Sequence, residues 1–190
     1  MRTKHVILAA ASAVAATPAL AHTGAHSISG FAAGFLHPFG GIDHMLAMVG
    51  VGIFAALLGR NALMTVPGSF VLMMLLGGAL SMAGFDIPAR EAVIAASVVA
   101  LGAVVTLGWS LPVSAAAVLV GFLALFHGYA HGTEIPPGAN AIPYSLGFTL
   151  ASAALHCSGI ALSRMALNHR AVTRSLGAII TLAGIALTFG

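Results

Sequence analysis

Two short stretches of this sequence set imidazoles beside carboxylates. His37-Pro38-Phe39-Gly40-Gly41-Ile42-Asp43-His44 holds two histidines and an aspartate in one run. Phe126-His127-Gly128-Tyr129-Ala130-His131-Gly132-Thr133-Glu134 sets His127, His131 and Glu134 at i, i+4 and i+7, which is one face of a helix. An i, i+4 histidine pair is a spacing that chelates a metal from a single helix. Imidazole with carboxylate suits nickel, cobalt, zinc or copper(II), whereas magnesium and calcium prefer all-oxygen sites. Histidine must be neutral to ligate, so binding competes with protons. Donor types alone do not select among the borderline metals, because affinity follows the same order at most sites.

Two further places carry the same donors. Leu155-His156-Cys157 lies well inside an apolar run, and His156 there is either a relay ligand or a satisfied buried imidazole. Cys157 reads as a small buried residue. Near the N-terminus, His22 and His26 are candidate capture ligands, the former by its α-amine and imidazole together if a leader is cleaved before it. His5 and His169 have no partner in the sequence and are not read as sites.

The elements that must position these donors follow from composition. The chain has 190 residues, of which 59% are hydrophobic and 6% charged, with 23 glycines. Soluble domains carry about a quarter charged residues, so the expected class is an all-α polytopic membrane protein. Helices and closed barrels alone satisfy their backbone within lipid, and the apolar runs here far exceed the ~10-residue segments of a barrel. Nothing points to nucleic acid. The lone cysteine permits no internal disulfide.

Residues 1–21 read as a cleaved signal peptide, with Arg2 and Lys4, an apolar Val6–Ala16 core and an Ala19-Leu20-Ala21 cleavage site. Residues 22–190 then form a single domain of six transmembrane helices. Their expected extents are Ile28–Gly59, Leu63–Gly84, Pro88–Leu107, Leu111–Gly132, Ala141–Ser163 and Thr173–Phe189. The first is expected to break at Pro38 and Gly40-Gly41, exposing carbonyls to a cavity near mid-membrane. Arg60, Arg164, Arg170 and Arg174 fall on one side of this topology. Asp86, Glu91 and Glu134 fall with Arg90 on the other. The positive-inside bias therefore agrees with a leader that leaves the mature N-terminus in the periplasm and the body in a bacterial inner membrane. Gly77-Gly78, Gly102, Gly121, Gly147 and Gly159 are expected at close helix crossings.

The His-Thr-Gly start after the leader, HPFGGIDH, FHGYAHGTE and LHCSGI together resemble the HupE/UreJ family across the whole mature chain. That resemblance implies a nickel, in some cases cobalt, permease serving hydrogenase or urease maturation. Its motif residues correspond here to His37, Pro38, Gly41, Asp43 and His44, and to His127, Gly128, His131, Gly132 and Glu134. The residues themselves reach only as far as a divalent transition metal bound by histidine and carboxylate within a membrane.

No Walker A motif is present, so transport would proceed without ATP hydrolysis by this chain. The metal is cargo, and no prosthetic group is expected. The expected route runs from His22 and His26 past Glu134 and His131 to His37, Asp43, His44 and His127, with His156 beyond. Two other classes compete. A haem-binding membrane cytochrome is disfavoured by the acids within both clusters. An intramembrane metalloenzyme is disfavoured by the lack of H-E-x-x-H. The preferred reading is a non-enzymatic permease.

Overall fold

A computed structural model describes residues 30–135, 139–166 and 170–189. The expected leader and the candidate ligands His22 and His26 lie outside the described residues. The described chain is helical, without strands: α1 (Gly30–Leu36), a 3-10 turn (His37–Phe39), α2 (Ile42–Leu58), α3 (Ala62–Met82), α4 (Arg90–Leu107), α5 (Val113–Thr133), α6 (Ala141–Ala166) and α7 (Arg170–Phe189). Helices α3 to α7 are each long and apolar enough to cross a membrane. Their bounds follow the apolar runs closely, α7 beginning three residues earlier than the sequence suggests.

The broken first element has a local cause. Pro38 lacks an amide hydrogen and Gly40-Gly41 favour helix weakly. The chain winds into a 3-10 turn closed by the Gly40 N–H to the His37 carbonyl at 2.9 Å. Gly41 is extended, with φ −109° and ψ 119°, and α2 starts afresh after it. The two arms meet at 80°. With 17 residues, α2 is about 25 Å long, whereas the seven residues of α1 reach only about 10 Å. The break sits beside the last turn of α5 and the first turns of α6, near one end of the bundle rather than half-way along it. Its position is set by α6: a Cβ at Gly34 would overlap the Tyr144 carbonyl, and one at Gly147 the Phe31 carbonyl.

Reciprocal glycines draw the other helices together in the same way. Gly77 and Gly128 seat α3 against α5, meeting the Leu125 and Met74 carbonyls, in the most extensive contact of the bundle. Gly52 and Gly159 seat α2 against α6, and Gly102 and Gly177 seat α4 against α7. Small residues allow backbones to approach where lipid supplies no hydrophobic drive between helices. The core they enclose includes Met48, Ile53, Phe54, Phe70 and Val98, while Met64, Leu72, Val118 and Ile142 lie on the outer surface. Cys157 departs from expectation: it is exposed on the outer face of α6, one residue past the buried His156, because successive helical residues point about 100° apart.

Candidate metal centre

The turn after α1, the start of α2 and the end of α5 converge, so that two motifs separated by some ninety residues become one cluster. His37 Nε2 lies 2.9 Å from Glu134 Oε2. His131 Nδ1 lies 3.3 Å from the same oxygen. One donor atom from each of His37, His131 and Glu134 falls within 4.8 Å of the others, which is a ready-made triad for a divalent ion. Glu134 stands just beyond α5, whose last turn continues through the Glu134 N–H to the His131 carbonyl at 3.2 Å. This carries the i+7 expectation past the helix end. The adjacent His131 and His37 imidazoles outweigh desolvation and hold the Glu134 carboxyl well below the usual carboxylate range.

Deeper in, His44 and His127 form a second station. The Asp43 Oδ1 accepts the His44 backbone N–H at 2.8 Å and the His44 Nδ1–H at 2.7 Å. A carboxylate only accepts, so the His44 lone pair is on Nε2. The His127 Nδ1–H donates to the Leu123 carbonyl at 3.1 Å, which leaves its lone pair on Nε2 as well. Both Nε2 atoms are buried, with no hydrogen-bond partner among the described residues. An unsatisfied buried polar atom costs about 1–3 kcal/mol, and two imidazole lone pairs left together are electron-pair donors that a ligand or water could satisfy.

The rings make a descending file. His37 and His131 are 4.9 Å apart between centroids, His131 and His44 4.2 Å, and His44 and His127 5.2 Å. Its two ends differ in exposure: the His37 side chain is 30% exposed and His127 is fully buried, with His131 and His44 both nearly buried between them. At the mouth a cavity of about 580 Å³ is lined by His37, Asp43, His44, Glu91, His131 and Glu134. Three carboxylates at this opening raise the local concentration of cations.

His156 is buried but joins none of these groups. Its ring contact is with Phe70, which also packs on His127, at 5.0 Å from His156 and 5.8 Å from His127 by ring centroids. Of the sequence-derived candidates the structure therefore unites His37, Asp43, His44, His127, His131 and Glu134, and sets His156 apart.

Several neighbours were not singled out by the sequence. Glu91 lines the mouth and pairs with Arg90 at 3.2 Å. Phe148 covers the His131 ring at 4.1 Å, and Tyr144 meets His37 at 5.8 Å. The i, i+4 spacing of Tyr144 and Phe148 on α6 is a signal, but a weak one, because aromatic pairs at that spacing usually mark ordinary core.

Asp43 has one oxygen committed to aiming His44. If the cluster binds a divalent transition metal, Asp43→Asn is expected to weaken that affinity 10- to 100-fold, the range for groups that orient a ligating imidazole. Titration calorimetry of the detergent-solubilised protein checks this. Affinity unchanged in the variant would remove Asp43 from the site.

Comparison with known proteins places the chain in a family. The sequence matches the HupE / UreJ protein family over residues 9–187. It is 43% identical over 172 residues to Protein HupE of Rhizobium leguminosarum bv. viciae, covering 90% of each chain. No solved structure matches it. Both long motifs lie within the matched region, and by this evidence the chain belongs to the HupE / UreJ family.

Proposed function

We propose that the protein is a permease that passes a divalent transition metal, nickel foremost and cobalt or zinc as competitors, across a bacterial inner membrane. The observation that carries this reading is the file of imidazoles, running from an acidic mouth to a fully buried His127. Each station offers two or three donors rather than a closed shell, and conduction needs sites an ion can leave as well as enter. Nickel itself rests on the family resemblance together with borderline donors.

In this reading the bent α1–α2 pair serves as one span, giving six, and the mature N-terminus is periplasmic with His22 and His26 at the entrance. The route goes through Glu134, His37 and His131 to His44 and His127, then past Phe70 to His156. The protein acts without ATP hydrolysis or a prosthetic group. Its cargo would serve hydrogenase or urease maturation, a link implied by the family alone.

Uptake of radioactive nickel into proteoliposomes tests the proposal. Saturable uptake is expected, inhibited by cobalt more than by magnesium. An absence of saturable uptake by folded protein, with or without a pH gradient, would overturn the reading.

A further inference from the structure

Behind His131, on the α3–α6 side of the site, lies a small cavity of about 40 Å³ whose walls include Met74, Gly78, Gly128, His131, Tyr144 and Phe148. It lies beside the α3–α5 crossing, with Gly78 and Gly128 in its wall. Roughly 10–15 Å³ of such space suffices for a water that has polar partners. Those partners are at hand. The Tyr144 hydroxyl is buried with no hydrogen-bond partner among the described residues, and so is His131 Nε2. Most buried polar groups in native proteins are satisfied, by protein or by ordered water.

The two nitrogens of His131 face different tasks. Nδ1 is the atom beside Glu134, in the triad with His37. When Nδ1 gives its lone pair to an ion, Nε2 carries the hydrogen and needs an acceptor. Metal-ligating histidines almost always donate their second N–H to a carboxylate, carbonyl or water, which fixes tautomer and ring orientation. Among the described residues Nε2 has no such partner. Tyr144 shares the cavity, and its ring also meets His37 edge-on.

We propose that Tyr144 is a positioning residue of the outer ion station: through one water held in this cavity it is the hydrogen-bond partner of His131 Nε2, and it thereby aims Nδ1 at the ion. A phenol and a water each donate and accept, so the link serves either neutral tautomer of His131. The inference rests on the proposed metal-transport function and adds to it a residue that the metal does not touch.

The experiment pairs Tyr144→Phe, which removes only the oxygen, with measurements on the wild type. In the wild type, ¹⁵N spectra of His131 in lipid nanodiscs are expected to show a hydrogen-bonded Nε2, and Tyr144→Phe should shift that signal. The variant should bind nickel about tenfold more weakly, with KM rising and kcat nearly unchanged. It should also shift the visible d–d bands of Co²⁺ used as a probe. A wild-type Nε2 signal of a nitrogen without a partner would overturn the proposal before any variant is made. Nickel affinity and cobalt bands equal to wild type in the variant would overturn it too. Failure of the wild type to bind nickel would instead overturn the transport reading, while the ¹⁵N result would still decide the Tyr144–His131 link.

Discussion

His44→Ala is expected to reduce nickel uptake by at least about 100-fold, to the level of empty vesicles. His44 is the link of the file: its ring is 4.2 Å from His131 on the outer side and 5.2 Å from His127 on the inner side. Removing it leaves the outer triad intact but separates it from the buried imidazole. Partners that merely orient a ligand account for 10- to 100-fold in metal affinity, so loss of the connecting ligand should exceed that. Folding should survive, since Nε2 has no hydrogen-bond partner among the described residues and Asp43 still accepts the residue-44 backbone N–H. Initial rates in proteoliposomes, normalised to monodisperse protein, check the prediction. Wild-type rates in the variant would remove the inner station from the path, and a path along the outer surface of the bundle would have to be sought.

The second large effect is structural. Gly128→Leu should prevent the bundle from assembling, because even a Cβ at this position overlaps the backbone carbonyl of Met74. The neighbour is backbone and cannot swing aside, so α3 and α5 must separate along their main contact. Overpacking costs typically 1–3 kcal/mol in a core whose side chains can shift. Here the cost is expected to reach about 3 kcal/mol or more. Moving α5 also displaces His127 and His131, so any surviving protein should transport poorly. Gly68→Ala on α3 is the matched control. Nothing lies within 4 Å of the added methyl, and alanine favours helix over glycine by roughly 0.5–1 kcal/mol. Thermal unfolding followed by size-exclusion chromatography should show loss of folded Gly128→Leu and an unchanged or raised Tm for Gly68→Ala. Normal stability of Gly128→Leu would mean that the two helices do not meet as closely as the structure places them.

The features legible in the residues alone are local ones. The long apolar runs fixed five of the helices to within a few residues, since a chain in lipid must satisfy its backbone within each segment. Pro38 with Gly40-Gly41 fixed the break, because their effect on the backbone needs no neighbour. The two motifs named six donors that the fold brings together, and donor chemistry narrowed the ion. Of the glycines expected at close crossings, Gly77, Gly102, Gly147 and Gly159 meet a neighbouring backbone, whereas Gly121 faces the Met73 side chain and Gly78 is in ordinary contact. Pairing them required the packed bundle, where Gly77 meets Gly128's helix and Gly159 meets that of Gly52.

The tertiary structure alone decided the rest. It joined His37 to Glu134 across 97 positions of chain, and brought Glu91, Tyr144 and Phe148 to a site whose motifs do not include them. It placed the break near the end of the bundle, where α6 pins α1, instead of at its centre. It packed Phe70 against both His127 and His156, two residues that the sequence could only set on separate helices. Spacing along a helix tells which side chains share a face. Which faces meet depends on the packing of several helices at once, and no local pattern encodes that.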